Sequence, residues 1–122
     1  MVDPRRHLGQ LGEQLALEHF ERLGYSLVAR NHRTRFGELD LVVCDGRALV
    51  FVEVKTRRAA RPGRAWDSLH PRKREQVRRM ARAFLAEVAD RPRAASLRFD
   101  AIGVTIDAQG RLVALEHLEG AF

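Results

Sequence analysis

Residues 36–55 read FGELDLVVCDGRALVFVEVK, two apolar segments that carry charge and are joined at an Asp-Gly pair. Side chains alternate faces along a strand, so Glu38 and Asp40 share one face of the first segment. By the same rule, Glu53 and Lys55 share one face of the second segment. Buried charges are costly unless they pair, bind metal or take part in chemistry. The stretch therefore predicts a pair of strands that carries a functional site.

The length of the hairpin loop sets which charged groups are opposite each other. A turn at residues 45–46 would place Asp40 opposite Phe51. A loop at residues 45–48 would place Asp40 opposite Glu53 instead. Both even loop lengths put all four charged groups on one face of the hairpin, and the sequence leaves both open.

The opposite face of this hairpin is predicted to be wholly apolar, formed by Leu39, Leu41, Val43, Val50, Val52 and Val54. Such a face needs a helix or a second layer packed against it. Val42 and Phe51 also lie on the charged face, and strands with apolar side chains on both faces belong at the centre of a covered sheet.

Apolar periodicity predicts a first helix at residues 7–23, with a start at Asp3-Pro4 and Gly24 just past its end. A second helix begins near Pro71 and carries an apolar stripe as far as Val88. Two candidates for the cap of the second helix are Ser68 and His70.

The remaining segments complete a single mixed α/β domain spanning residues 1–122, in the order α-β-β-β-α-β-β. Strands are predicted at residues 25–30, 97–106 and 111–117, with a polar link at 31–35 and a mobile loop at 56–65. The second helix crosses between the third and fourth strands, so those two strands are expected to pair in parallel within a mixed sheet.

Eleven basic residues and only two acidic ones lie between Lys55 and Arg82, although the whole chain has a net charge of +6. A basic stripe of this kind is typical of a polyanion-binding surface, and the alternative is a solvated arginine-rich face. The candidates for nucleic-acid binding are Arg57, Arg58, Arg61, Arg64, Arg72, Lys73, Arg74 and Arg78. Lys73 is in line with the apolar stripe, so it could reach the site or remain an exposed helix lysine.

No apolar run approaches the roughly 20 residues that span a bilayer, and the N-terminus lacks the apolar core of a signal peptide. We expect a cytoplasmic protein without membrane attachment. Cys44 is the only cysteine, which excludes a disulfide or a cysteine zinc site within one chain.

Magnesium prefers hard oxygen ligands and commonly takes one or two protein carboxylates, leaving other positions to water and phosphate. Asp40 and Glu53 on adjacent strands could supply them. An ammonium such as Lys55 could orient the attacking water or offset charge that develops on phosphate. This combination favours phosphodiester hydrolysis, and the alternative is a simple Glu53–Lys55 ion pair.

The sequence also resembles known proteins. The Asp40…Glu53-x-Lys55 pattern resembles the motif of restriction-endonuclease-like nucleases. Several further motifs resemble the bacterial YraN-like uncharacterised family, whose fold is similar to that of Holliday-junction resolvases: Gly12-Glu13, Arg30-Asn31, Phe51 to Arg57, Lys73, Arg98-Phe99-Asp100 and Ala121-Phe122. This resemblance covers nearly the whole chain.

The resemblance implies a restriction-endonuclease-like fold and a residue set for the site. It implies that Asp40 and Glu53 ligate Mg²⁺ or Mn²⁺, with the Val54 carbonyl as a further ligand, and that Lys55 is the catalytic lysine. It also implies that Glu13 of the first helix joins the site.

Glu38 could support the site or pair with an arginine, and both readings stay open. Asp100 is interpreted as a structural ion-pair partner.

We therefore expect a metal-dependent endonuclease acting on DNA, with shape rather than sequence recognition and a preference for branched substrates. The alternative is a non-catalytic nucleic-acid-binding accessory protein with a degenerate site. A homodimer is an expectation by analogy with resolvases, which act on two strands.

Overall fold

The computed structural model describes residues 3–64, 66 and 70–122. The elements are α1 (Pro4–Arg22), β1 (Ser26–Thr34), β2 (Gly37–Cys44), β3 (Ala48–Arg58), α2 (Pro71–Glu87), β4 (Ser96–Ile106) and β5 (Leu112–Leu118). The predicted order α-β-β-β-α-β-β and the mixed α/β class are confirmed. Ala65 and Ser68, which the sequence placed at a loop end and a helix cap, lie outside the described residues.

Both helices begin with a side-chain cap followed by proline. Asp3 Oδ1 accepts a hydrogen bond from the Arg5 backbone N–H at 3.0 Å, and Pro4 occupies the first turn of α1. His70 is the cap of α2, and its Nδ1 accepts from the Arg72 backbone N–H at 3.3 Å. These caps satisfy backbone donors that have no partner inside the helix.

The five strands form one sheet in the order β1-β2-β3-β4-β5. The β3–β4 pair is parallel, as the crossover through α2 predicts, and the other three pairs are antiparallel. One helix covers each face of the sheet. The apolar residues Ala16, Leu17 and Phe20 of α1 pack on one face, and Val77 and Phe84 of α2 pack on the other.

Two strands are longer than the sequence predicts. β1 continues through the polar residues 31–34, because it is an edge strand whose polar side chains can meet solvent while its backbone pairs with β2. β3 continues to Arg58, because its parallel pairing with β4 runs as far as Arg58 and Ile106. The predicted link at 31–35 and the predicted loop start at residue 56 are therefore wrong.

The β2–β3 hairpin adopts the register of the longer loop. Cys44 pairs with Leu49 and Leu41 pairs with Val52, so the register extends toward Asp40 opposite Glu53. Asp45 stabilises the loop because its Oδ1 accepts hydrogen bonds from the Arg47 and Ala48 backbone N–H groups, each at 2.9 Å.

The regular alternation of side chains between the two faces of the sheet is interrupted at Asn31 in β1 and at Asp40 in β2. Asn31 has a φ of +51°, a left-handed conformation that asparagine tolerates better than most residues. Beyond it Leu39 packs on the α2 side, whereas Leu41 packs on the α1 side. The predictions that Leu39 shares the face of Leu41, and that Glu38 shares the face of Glu53, are therefore wrong.

Gly12 lets α1 approach β3 closely. A Cβ atom at Gly12 would overlap Thr56 Oγ1 and lie 2.8 Å from Thr56 Cβ, whereas one at Gly9 would have no atom within 4 Å. The close approach sets the height of Glu13, the next residue of α1, above the sheet.

We expect Gly12→Ala to lower the free energy of unfolding by about 1–3 kcal/mol, because the added methyl group overfills the α1–β3 contact. Gly9→Ala in the same helix is the matched control, and it should raise stability by about 0.5–1 kcal/mol through helix propensity. Urea unfolding followed by circular dichroism measures both. Equal changes in the free energy of unfolding of the two variants would contradict a close contact between α1 and β3 at Gly12.

Within the described residues, neither helix combines the length and the apolarity needed to cross a membrane.

Candidate metal centre and nucleic-acid surface

Strands β2 and β3 separate at Asp40. The paired residues between them end at Leu41 and Val52, and beyond this point Asp40 Oδ2 accepts a hydrogen bond from the Val54 backbone N–H at 2.8 Å. A side chain thus replaces a backbone acceptor at the point where the strands part. Within a strand, the N–H and C=O of one residue point to the same side, so the Val54 carbonyl is directed toward the same gap.

Glu53 is buried beside Asp40, with only 4% of the residue exposed. Its Oε2 forms an ion pair at 2.9 Å with Nζ of Lys73 on α2. Its Oε1 is buried and accepts no hydrogen bond from any donor among the described residues. The second helix therefore supplies a cation to one oxygen of Glu53, and the other oxygen remains available to a ligand or to a shared proton.

The Asp40 and Glu53 carboxyl groups interact strongly. Burial and then the charge of Asp40 raise the pKa of Glu53 to about 7, partly offset by Lys73. Burial likewise raises the pKa of Asp40 to about 6, although the hydrogen bond from Val54 lowers it. The charge of Asp40 thus disfavours ionisation of Glu53 beside it, and the pKa values of both groups lie above their ordinary range.

The raised pKa of Glu53 makes stability depend on pH. Since the folded-state pKa lies above the ordinary 4.5, the stability from this group is fully present below about pH 4.5 and is lost as pH rises through about 7. Glu53→Gln resembles the protonated form of the side chain. We therefore expect its free energy of unfolding to exceed that of the wild type by about 2–3 kcal/mol at pH 8 and to differ little from it near pH 4.5. Urea unfolding without metal, across pH, measures this difference.

Glu21→Gln is the matched control, because Glu21 is exposed in the last turn of α1 and is not among the groups that shift the pKa of Asp40 or Glu53. It should show no pH-dependent gain. A Glu53→Gln variant with the same stability difference at both pH values would contradict the raised pKa of Glu53.

Lys55 lies on the α2 side of β3 and is exposed. Its Nζ is 5.6 Å from the ring centroid of Trp66, within reach of a cation–π interaction. The indole N–H of Trp66 donates to the Ile102 carbonyl at 3.1 Å, which holds the ring in place. Lys55 therefore lies on the same face of β3 as Glu53 with its ammonium beside Trp66, while Lys73 contacts Glu53 from the helix.

Glu13 and Glu38 meet on the α1 side of the sheet. The Asn31 amide nitrogen faces both carboxylates, at 3.0 and 3.1 Å from the two Glu13 oxygens and 3.1 Å from Glu38 Oε1. Burial, followed by the charge of Asp40, raises the pKa of Glu13. Glu38 also lies 3.7 Å from Nη2 of Arg33. Glu13 thus borders Asp40, and the predicted arginine partner of Glu38 is present.

Several residues of the basic stripe hold backbone carbonyls. Arg57 donates to the Arg61 carbonyl at 3.2 Å, and Arg58 donates to the Asp107 carbonyl at 2.7 Å. Arg78 donates to the carbonyl of Phe122 at 2.8 Å. The other predicted arginines of the stripe are exposed: Arg61, Arg64, Arg72 and Arg74. Some arginines of the stripe therefore stabilise the fold through bonds to backbone carbonyls, and the others form an exposed basic surface.

In the described part of the chain, no group of three or more His, Cys, Asp or Glu side chains is arranged to hold a metal ion. Mg²⁺ commonly takes one or two protein carboxylates and completes its octahedron with water and substrate oxygens. The unpartnered Glu53 Oε1 and the carboxylate of Asp40 supply two hard oxygen donors.

A second polar cluster surrounds Asp100, which is fully buried on β4. Arg98 donates to both Asp100 oxygens, from Nε and Nη2, each at 2.8 Å. His117 Nε2 donates to Asp100 Oδ2 at 2.7 Å, and His117 Nδ1 is 3.0 Å from Nε2 of His19. The structural role predicted for Asp100 is supported by these contacts.

Sequence reasoning missed the two histidines and Asn31. His19 and His117 are 98 positions apart, and no local spacing links them. Asn31 belonged to the quoted Arg30-Asn31 motif, yet only its backbone conformation and its two glutamate neighbours show what it contacts.

Two helices on opposite faces of a mixed five-stranded sheet, with a carboxylate pair where two strands part, define a mixed α/β protein with a candidate metal centre. The chain belongs to the UPF0102 family, because the family model described as "Uncharacterised protein family UPF0102" matches residues 12–104. The resemblance to the YraN-like family is thereby confirmed.

Curated relatives cover the chain almost end to end. A UPF0102 protein of Pelotomaculum thermopropionicum is 44% identical over 122 residues, covering all of both chains. A UPF0102 protein of Frankia casuarinae is 47% identical over 116 residues, covering 94% of this chain and 95% of the relative. A UPF0102 protein of Moorella thermoacetica is 38% identical over 122 residues, again covering all of both chains.

Proposed function

We propose that this protein is a metal-dependent endonuclease that hydrolyses DNA phosphodiester bonds at branched or otherwise non-B structures. The observation that carries the proposal is the Asp40–Glu53 carboxyl pair. It lies where β2 and β3 separate, with Glu53 buried and Asp40 half-buried, and both members have raised pKa values. Glu53 also keeps an oxygen without a donor among the described residues. A buried pair of this kind is stabilised when a cation binds it.

Asp40 and Glu53 would hold Mg²⁺ or Mn²⁺, with the Val54 carbonyl directed toward the same gap. When bound, the ion would lower the pKa of a water molecule and stabilise negative charge on the phosphoryl oxygens. The Val54 N–H orients the Asp40 carboxylate through its hydrogen bond. Less conformational entropy of the Asp40 side chain is therefore lost when a ligand binds.

The two lysines lie on the α2 side of the sheet and would have different roles. Lys55 is exposed, so its ammonium can approach a scissile phosphate and offset the charge that develops there. Lys73 is paired with Glu53 at 2.9 Å, so it favours the ionised form of that carboxylate and helps to position it. Glu13 borders Asp40 from α1 and could accept a proton from an attacking water, because burial raises its pKa.

The exposed arginines of the basic stripe would hold the phosphate backbone next to this centre. Backbone contacts position DNA without reading its sequence, which supports recognition by shape. Such a protein would act in the cytoplasm. Cutting both strands of a branched substrate would require two copies, so we also propose a homodimer, which sedimentation of the protein with and without DNA would test.

The experiment is a cleavage assay with labelled four-way junction, fork, flap and plain duplex of matched sequence, with Mg²⁺, Mn²⁺ or a chelator. We expect cutting of the branched substrates that requires metal and leaves the duplex largely intact. Binding measured in parallel should weaken steeply as salt rises, because several phosphates are neutralised.

The ion pair between Lys73 and Glu53 favours a second candidate, a DNA-binding accessory protein whose site holds no metal. The ammonium at 2.9 Å neutralises Glu53 without a cation. Salt-sensitive DNA binding, together with no cleavage under any of the metal conditions above, would favour this candidate. Absence of binding even at low salt would exclude both.

A further inference from the structure

A shallow groove runs beside the turn between β1 and β2, away from the carboxylate pair. Its floor is formed by Phe36, Ala83 and Ala86, and its rim includes Arg35, Arg79 and Arg82. A second groove adjoins it through Phe36 and leads to Arg72 at the start of α2. The first groove holds about 590 Å³, within the usual range of about 300–1,000 Å³ for sites that take a ligand of nucleotide size.

The charge of the two grooves is complementary to phosphate. The two grooves are lined by four arginines and by Glu75 and Glu87, which leaves a net positive surface. Glu75 pairs with Arg79 at 3.1 Å and lies 3.7 Å from Arg82, and both guanidinium groups remain exposed to solvent. The Arg35 guanidinium lies 4.8 Å from the Phe36 ring centroid. An aromatic ring surrounded by arginines is the arrangement that binds unpaired bases, by stacking on the ring and by backbone contacts to the cations.

Phe36 is held by its backbone on both sides. Its N–H donates to Thr34 Oγ1 at 3.1 Å, and its carbonyl accepts from Nε2 of Gln76 at 2.9 Å. Gly37 follows with a φ of +135°, and a Cβ there would lie 2.8 Å from Gln76 Nε2. The ring is therefore carried on a preorganised turn docked against α2, which reduces the ordering cost of binding.

The groove is connected to the candidate metal centre by two elements. Phe36 lies in the turn just before β2 and precedes Asp40 by four residues, which is at most about 13 Å of extended chain. On α2, Gln76 is one turn after Lys73, so the helix contacts Glu53 with one residue and the Phe36 carbonyl with the other. A DNA strand that enters the centre would reach the groove within about four nucleotides, at 3.4 Å per step.

We propose that this groove binds unpaired DNA next to the cleavage point, with a base stacked on Phe36 and phosphates on Arg35, Arg79 and Arg82. This inference rests on the proposed nuclease function and specifies what part of a branched substrate the protein recognises. A fully paired duplex has no free base to offer to the ring, so the groove makes the protein selective for forks, gaps and junctions.

The test compares Phe36→Leu, which keeps the apolar volume, with Phe36→Trp, which keeps a stacking ring. Binding is measured by fluorescence anisotropy on a gapped duplex that carries 2-aminopurine in the gap, and on the same duplex without the gap. We expect Phe36→Leu to weaken binding of gapped DNA by about tenfold while duplex binding changes less than twofold. Phe36→Trp should restore affinity and quench the 2-aminopurine fluorescence.

Two controls separate the ring from general effects. Leu112→Ala removes an exposed apolar side chain on β5, and Arg111→Gln removes an exposed arginine outside the groove. Both should leave the preference for gapped DNA unchanged. Equal loss with gapped and paired DNA in Phe36→Leu, or unchanged binding to both, would overturn the inference.

Failure of the nuclease proposal is distinguishable from failure of this one. If the wild type never cuts but the Phe36 variants change gapped-DNA binding as expected, the inference stands and the nuclease proposal fails. If the wild type cuts branched DNA and Phe36→Leu binds and cuts normally, the inference fails alone. A Phe36→Leu variant altered only in its sedimentation would also overturn it, because the groove would then be a contact between copies.

Discussion

Asp40→Asn is expected to reduce metal-dependent DNA cleavage by about 10³-fold, equivalent to about 4 kcal/mol of transition-state stabilisation. The amide oxygen can still accept the hydrogen bond from Val54, so the strand geometry should survive while the charge that attracts a cation is lost. The initial rate on a four-way junction with saturating metal measures the effect. Lys55→Ala should give a comparable loss without changing affinity for the metal.

Folding controls accompany this result. The stability of Asp40→Asn in the absence of metal should equal or exceed that of the wild type, because the variant removes one of two buried carboxyl groups with raised pKa values. Asp90→Asn is the matched control, because Asp90 is exposed beyond the end of α2. Undiminished cutting by Asp40→Asn would exclude Asp40 from the proposed centre.

Asp100→Ala is expected to lower the free energy of unfolding by about 3–5 kcal/mol, which is the usual cost of removing one partner from a buried ion pair. The carboxylate is fully buried and accepts from Arg98, His117 and the Gly120 backbone N–H. Its loss would leave a guanidinium, an imidazole and a backbone donor without their partner. Urea unfolding measures the change, and Asp90→Ala should stay within about 0.5 kcal/mol.

The same cluster predicts sensitivity to acid. Burial alone would raise the pKa of Asp100, but the hydrogen bonds from His117, Arg98 and Gly120 lower it below its ordinary 3.8. Its stabilising contribution is therefore present above about pH 3.8 and is lost as pH falls below that value. Asp100→Ala should show a flatter decline in acid than the wild type. A loss of less than about 1 kcal/mol at neutral pH would contradict a buried ion-pair role.

Local patterns explain how much of the fold was predictable. The apolar stripe through Val77 and Phe84 predicts α2, and the caps Asp3 and His70 mark where both helices begin. The parallel β3–β4 pair follows from the crossover rule, because a helix connects the two strands. Polar edge residues such as 31–34 escaped prediction, because only pairing with β2 makes them a strand.

The candidate site was predictable in part. The spacing of Glu53 and Lys55 places them on one face, and the structure keeps them there. Glu38 departs to the α1 side, because both strands turn at Asn31 and Asp40. An alternating sequence pattern cannot predict this interruption, because the alternation of faces holds only for a regular strand.

The amino-acid sequence alone determined the family, the order of the elements and the identity of the carboxylates, because these depend on residue types and on short spacings along the chain. The tertiary structure decided which groups act together. Lys73 reaches Glu53, Asn31 joins Glu13 to Glu38, and Asp100 gathers Arg98 and His117. These contacts depend on the strand register and on how closely each helix packs against the sheet, which residue spacing does not specify.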